Sequence, residues 1–262
     1  MPVSCSLIIS TYNWAAALRV CLQSVMKQKR LPDEVIVADD GSGDETRRVI
    51  TEFQGLFPVP LLHVWHEDRG FRKTQILNKA LKQSGGEYIV QIDGDVVLHP
   101  FFIHDHLELA EKGTFVRGTR ARLTAGITSA VLSSKNIRLT ALSQGVYNRL
   151  NAIRLPVWRE LGSRKKRSSK SVRGSNLAFW KDDFIKVNGY NNDLQGWGHE
   201  DEELAARFIN NNILKKIVKL AAVQFHLDHV EKSRENEAFH ARVVEDTVTK
   251  NIKTCVNGYS CN

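Results

Sequence analysis

The 262-residue sequence contains no run of about 18 apolar residues, the length a helix needs to cross a hydrocarbon core, so no membrane-spanning helix is expected. Its opening "MPVSCSLIIS" lacks the basic start and the small-residue cleavage pattern of a secretory signal. The expectation is therefore an intracellular, cytoplasmic chain. Cysteine is scarce, with four residues. Cys5 and Cys21 sit in apolar contexts where reduced core thiols are usual, while Cys255 and Cys261 in "CVNGYSCN" leave a bridge, zinc or neither open. Internal repeats are absent, and the sole low-complexity stretch is the basic run "GSRKKRSSKS" at 162–171. It reads as a mobile surface loop, or as a lid or a contact for phosphate or anionic lipid.

What is present is enough apolar material, 42% of residues, to bury a sizeable core as one large domain or two closely packed lobes. Net charge is +8 and the pI near 9.3. That balance suits an anionic partner, whether a phosphorylated small molecule, an anionic membrane face or nucleic acid, and charge alone does not choose among them.

The first hundred residues alternate. "VSCSLII", "DEVIVADD", "PLLHVWHE" and "GEYIVQIDGD" read as strands, and "WAAALRVCLQSVMKQ", "SGDETRRVITEF" and "RKTQILNKALKQSGG" as helices between them. The expected fold is α/β, a mainly parallel central sheet with helices on both faces. After residue 100 the pattern loosens: 99–113 looks helical, 114–123 strand-like, and 133–161 mostly helical.

Ligands of such sheets lie beyond the carboxyl ends of the strands. The polar clusters "STYN", "DDGSGDE", "HEDRGFRK" and "DGD" all fall there. Asp93 and Asp95, one glycine apart where a strand leaves the sheet, can converge on one point. Hard oxygen ligands suit Mg2+ or Mn2+, although turns favour Asp and Gly in any case. A uracil ring, with its N–H between two carbonyls, could be held by a carboxylate and an aromatic face, which Asp40 and Tyr12 supply. Asp39 or Asp40 could equally cap the following helix.

The stretch "SLIISTYNWAAALRVCLQSVMKQKRLPDEVIVADDGSGDET", with "DGD" some fifty residues on, resembles the nucleotide-binding half of family 2 glycosyltransferases of the GT-A (Rossmann-like) fold. "RGSNLAFWKDDFIKVNGYNNDLQGWGHEDEEL" is similar to the C-terminal region shared by β-1,4-galactosyltransferases and bacterial chondroitin polymerase. The resemblance implies a single GT-A domain over 1–262. Residues 1–99 would bind the nucleotide-sugar and 100–262 the acceptor, with the catalytic region at 172–229. It implies that Ser10, Tyr12 and Asp40 contact uridine, flanked by Thr11 and Asn13 and supported by Asp39. Asp93 would face ribose and metal, Asp95 would ligate the metal, and His226 would complete its site, with His229 as the fallback. Glu200 would bind sugar hydroxyls and Asp201 would be the general base, with Asn176, Trp197, Gly198 and His199 around the acceptor. Trp197 could also be a plain core aromatic.

Two positions depart from the pattern. Many members of the family this chain resembles carry Ala-Arg-Asn where it reads Ile76-Leu77-Asn78, which leaves Arg72, Lys73 or Lys79 to supply charge, with Lys79 the expected nucleotide-binding residue. The second glycine of Trp-Gly-Gly-Glu-Asp is His199.

Helical spacing from His199 places Asp201, Leu204, Ala205 and Phe208 on an inward face and Glu203, Arg207, Asn210 and Asn211 toward solvent, with Glu203 and Arg207 an i,i+4 pair. Acids in a first helical turn are stabilised as anions, so lowered pKa values are expected there, and a plain acidic N-terminus has the same signature.

The expected activity is metal-assisted (Mn2+ or Mg2+), inverting transfer of Gal, GalNAc or GlcNAc from a UDP-sugar to a saccharide acceptor, free or lipid-linked, in surface polysaccharide synthesis. No nucleic-acid partner is expected, and the positive charge would suit peripheral contact with an anionic membrane. A nucleotidyltransferase would show a Gly-rich, basic N-terminal loop, which "STYNWAAA" lacks. A nucleic-acid-binding protein would gather its cations into an aromatic-lined patch.

Overall fold

The structure is a computed structural model and describes residues 3–158, 162–230 and 235–261. Strands β1 (Cys5–Thr11), β2 (Glu34–Asp39), β3 (Leu61–Trp65) and β4 (Tyr88–Asp93) alternate with helices α1 (Ala15–Met26), α2 (Asp44–Gln54) and α3 (Lys73–Gln83). β5 (Val96–Leu98), α4 (Phe102–Leu109), β6 (Thr114–Arg117), β7 (Ala121–Leu123) and α5 (Ala125–Ser134) follow, then the short β8 (Val146–Tyr147) and β9 (Arg164–Lys166). The last third holds β10 (Leu177–Trp180), α6 (Lys181–Lys186), α7 (Glu200–Asn210), β11 (Leu214–Ile217), β12 (Gln224–His226) and α8 (Glu237–Thr249).

Successive side chains of a strand point to opposite faces, and β1 and β2 are buried at nearly every position, so both of their faces are covered. Leu7, Ile9, Val35 and Val37 pack against α1 and α2, whereas Ile8, Ile36 and Ala38 pack against Ile76, Leu77, Ala80 and Leu81 of α3. Each such buried aliphatic side chain contributes roughly 1.5–3 kcal/mol. In α2, Thr46, Val49, Ile50 and Phe53 recur at helical spacing and form its buried stripe.

The main sheet has the order β3-β2-β1-β4-β10-β6-β11-β9. β3, β2, β1 and β4 are mutually parallel, and β6 and β11 are parallel. β10 runs antiparallel between β4 and β6, and β9 antiparallel on β11, so the parallel character belongs mainly to the first half. A second sheet, β5-β12-β7-β8, packs over α1 through Val97, Ala121 and Phe225 against Ala17 and Val20.

Two expectations are corrected. Over 133–161 the chain is not mostly helical: α5 ends at Ser134, followed by Lys135 in the left-handed region, and irregular chain follows with short 3-10 turns at 149–152 and 156–158. Asn136 accepts from the Arg138 N–H and Ser143 Oγ from the Thr140 N–H, local bonds that compete with a helix. Residues 159–161 lie outside the described residues. The basic run at 162–171 is not wholly loop, because Arg164–Lys166 pairs with β11 through Lys166↔Lys215 and Arg164↔Ile217. Cys5, Cys21, Cys255 and Cys261 are all free thiols. No described helix is long and apolar enough to cross a membrane.

Candidate active site

The carboxyl ends of β2, β1 and β4 lie side by side, and register sets Ser10 opposite both Ala38 and Asp93. Ser10 Oγ accordingly donates to Asp93 Oδ1 at 2.7 Å. Beyond these ends is a cleft of about 420 Å3, of the size that receives small-molecule ligands. Its near wall is Ser10, Thr11, Tyr12, Asn13 and Asp40, and its far wall includes Trp197 and Glu200.

At the near wall Asp40 is 5% exposed, with Oδ1 2.7 Å from His66 Nε2 and Oδ2 accepting the Arg72 N–H at 2.9 Å. Asp39 is fully buried and does not line the cleft. It accepts the Ser42 N–H at 2.8 Å and faces His63 Nε2 at 2.9 Å. Tyr12 is 38% exposed, and its hydroxyl donates to Asp68. Asn13 accepts from the Gly43 N–H and donates its own N–H to Ser42 Oγ, which joins the β1 and β2 loops.

At the base of the cleft Lys73 Nζ donates to Asp93 Oδ1 at 2.8 Å and lies 3.8 Å from Glu200 Oε1. Burial opposes the ammonium charge, but Asp93, Asp201 and Glu200 outweigh it and hold the Lys73 pKa above its ordinary value. Burial likewise opposes ionisation of Asp93, yet Lys73 and the Ser10 hydroxyl bring its carboxyl below the usual range. Of the three cations that could replace the missing arginine, Lys73 lines the cleft; Lys79, further along α3, does not.

Behind Glu200, Asp201 receives the Gly174 N–H on Oδ2 at 2.6 Å and the Tyr190 hydroxyl on Oδ1 at 2.9 Å. A Cβ on Gly174 would stand 2.7 Å from Asp201 Oδ1 and 2.6 Å from Gln91 Nε2, so only glycine allows this approach. Tyr190 Oη also accepts from Gln91 Nε2, and its backbone is clasped by Asn78. The buried Tyr190, reached from sequence only as part of a turn, is thus a positioning residue. Its hydroxyl, a common core group, gave no signal of that.

The helix-terminus expectation is reversed. Burial, followed by repulsion from Asp201, pushes the Glu200 carboxyl up to about 7. Burial also raises the Asp201 carboxyl, despite the lowering by Lys73 and by its two hydrogen-bond donors. The solvent face assigned to α7 is corrected as well. Glu203 and Arg207 are an i,i+4 pair but are buried, 1% and 0% exposed, because α8 and the turn at 187–189 cover that side.

His199 occupies the left-handed region at φ 64°, a conformation natural to the glycine it replaces, and its Nδ1 lies 3.0 Å from Glu202 Oε2. Gly198 donates its N–H to Glu200 Oε2 and accepts from His240 Nδ1. Asn176 is tied inward, Oδ1 to His106 and Nδ2 to the Thr119 and Ala222 carbonyls. It lines a second cavity rather than the cleft.

The pairing of β5 with β12 sets His226 opposite Val96, and Leu227 N–H bonds to the Asp95 carbonyl. Asp95 Oδ2 therefore lies 3.6 Å from His226 Nε2 and 3.1 Å from His229 Nε2, and the three ligand atoms fall within 4.8 Å of one another. Asp95 Oδ1 is buried without a hydrogen-bond partner, as a lone pair reserved for a cation would be. Burial lowers the His226 pKa, and the hydrogen bond to Asp95 raises that of His229 to about 9. Two imidazoles and one carboxylate fit a divalent transition ion rather than Mg2+, which takes oxygen ligands. Asp93, expected beside the metal, is turned to Ser10 and Lys73 and stands outside this trio.

The family model described as "Glycosyl transferase family 2" matches residues 6–179, and one described as "N-terminal domain of galactosyltransferase" matches 161–230. The chondroitin synthase of Escherichia coli is 25% identical over 256 residues, covering 88% of this chain and 36% of that protein. The hyaluronan synthase of Pasteurella multocida is 31% identical over 111 residues, covering 42% and 11%. This chain therefore spans 36% or less of the length of these two relatives. Among solved structures, the mannosyltransferase PcManGT from Pyrobaculum calidifontis, in complex with GDP-Man and Mn2+, aligns with TM-score 0.64 at 20% identity over 95% of this chain and 65% of that one. S. aureus TarS 1-349 in complex with UDP aligns with TM-score 0.62 at 15% identity over 92% and 64%. At these identities the structural likeness is one of fold.

Proposed function

The chain belongs to glycosyl transferase family 2, and on that premise we propose that it is a UDP-sugar-dependent, inverting glycosyltransferase acting on a saccharide hydroxyl in surface polysaccharide synthesis. The observation that carries this reading is that one cleft is lined both by Glu200 with the Lys73–Asp93 pair, Asp201 standing behind Glu200, and by the Asp95, His226 and His229 trio. Such an arrangement can deprotonate an attacking hydroxyl at one side while a diphosphate leaves at the other.

Uracil would lie between Tyr12 and Asp40, the ribose near Asp93, and the sugar against Trp197. Asp95, His226 and His229 would hold Mn2+, with Mg2+ the weaker fit; bound there, it would offset negative charge on the leaving diphosphate. Lys73 adds a fixed positive charge on the same floor. Asp201, oriented by Gly174 and Tyr190, would accept the hydroxyl proton, and Glu200 would align the sugar hydroxyls. A second reading exchanges these two roles. It is favoured by Glu200 lining the cleft, which Asp201 does not, with a pKa of about 7 that suits a general base.

The test is UDP release by the full chain from UDP-Gal, UDP-GalNAc and UDP-GlcNAc with Mn2+, with and without saccharide acceptors and chelator. Chelator-sensitive release from at least one donor is expected. No turnover with any of the three would overturn the reading.

A further inference from the structure

A second cavity of about 350 Å3 adjoins the cleft, and Arg120 and Arg122 line both. Arg117, Arg173 and Lys219 line the second cavity alone, and among the described residues no acid lines it. Among the described residues none of these five cations is paired with a carboxylate. Arg117 Nε donates to the Ser171 carbonyl at 3.0 Å, and the Arg122 guanidinium lies 5.5 Å from the Tyr147 ring centre. Burial first, and then the nearby Arg173, depress the pKa of both Arg117 and Arg120; at Arg120, Asp93 and Asp95 of the cleft offset this only in part. Arg207 and Arg154, by contrast, are each neutralised by a carboxylate, that of Glu203 and of Asp105. The five cavity cations are not, and two of them, Arg120 and Arg122, border the cleft.

We infer that this cavity receives a carboxylate or phosphate carried by the acceptor, so that the acceptor saccharide is anionic. The inference rests on the transferase reading above. Guanidinium forks match the two oxygens of either anion, and the Asn148 and Asn151 amides on the same wall suit sugar hydroxyls. The donor diphosphate is served separately by Lys73 and the Asp95 trio, neither of which borders this cavity. Arg120 and Arg122, shared by both spaces, would draw the acceptor toward the Glu200 side of the cleft.

Binding separates this inference from the reaction itself. The full chain would be titrated calorimetrically with a uronate-containing tetrasaccharide and its carboxyl-reduced counterpart, with a glycosyl 1-phosphate and its unphosphorylated sugar, and, in parallel, with UDP and Mn2+. In one of the two pairs the charged member should bind about tenfold more tightly, and that pair identifies the source of the anion. The advantage should fall away at high salt and in Arg173→Gln and Lys219→Gln, both at exposed positions, with UDP affinity unchanged. Equal binding of charged and neutral members in both pairs would overturn the inference. So would variants that weaken UDP binding and leave the charged-to-neutral ratio intact. The expected ratio without turnover of any UDP-sugar would uphold the anion site and refute the transferase reading.

Discussion

The carboxylate of Glu203 and the guanidinium of Arg207 meet fork to fork inside the protein, Oε1 to Nε at 2.8 Å and Oε2 to Nη2 at 2.6 Å, with the two side chains 2% and 0% exposed. Arg207 Nη1 also donates to the Val187 and Gly189 carbonyls, each at 2.6 Å. One side chain thus fastens α7 to the turn that delivers Tyr190 to Asp201.

Removing Arg207 should therefore cost both stability and alignment. Arg207→Ala leaves a buried carboxylate without its cation and strips the Val187 and Gly189 carbonyls of the guanidinium donor, and is expected to lose about 3–5 kcal/mol in urea unfolding. Arg207→Lys should recover little, because one ammonium cannot reproduce the fork and reach both carbonyls. A loss below about 1 kcal/mol for either variant would contradict the structural role.

Glu200 gives a pH prediction. Its folded pKa of about 7 exceeds the ordinary 4.5, so its contribution to stability is fully present below pH 4.5 and is lost as pH rises through 7. Glu200→Gln removes the ionised form and should be the more stable protein at pH 8, by up to about 3 kcal/mol. The gap should close by pH 4.5, while transfer falls. Thermal unfolding at the two pH values is the check, and equal Tm at pH 8 would rule out the raised pKa.

Gly174 and Asp201 should share a kinetic phenotype. Asp201→Asn is expected to lower kcat by about 10²–10⁴-fold if it is the base. Gly174→Ala, whose Cβ would collide with the same carboxylate, should lower kcat by roughly tenfold or more with UDP affinity unchanged. Loss of UDP binding in either variant would instead place this corner in donor binding. Should Glu200→Gln abolish the acid limb of the pH profile and Asp201→Asn retain it, the two carboxylates exchange roles.

For the metal trio, Asp95→Ala should abolish the dependence of UDP binding on Mn2+, and His229→Ala should weaken it by about tenfold or more. UDP titrations with and without chelator read both. An unchanged chelator effect in Asp95→Ala would exclude it as a ligand.

Much of this architecture was legible because the first half of the chain is locally consistent. Apolar runs at β1, β2 and β4 end in polar residues at the same sheet edge, so period and strand end sufficed to bring Ser10, Asp40 and Asp93 together. The partners that hold the far wall come from distant segments: Gly174 and Tyr190 meet Asp201, and Gln91 meets Tyr190, through packing alone, which no spacing encodes. Periodicity placed Asp201 inward but did not reach the burial of Glu200 beside it and assigned Glu203 and Arg207 to solvent, because it cannot register α8 arriving some forty residues later. Lys73 over Lys79 was likewise a matter of which turn of α3 faces the cleft.

The outermost strand of the large sheet, Arg164–Lys166, presents three exposed cationic residues. An open strand edge offers unpaired backbone groups to any other extended chain, and like charges along it repel a second copy before those groups can pair. With Lys165 paired to Glu111, it is Arg164 and Lys166 of the basic run that keep this edge positively charged and disfavour such pairing.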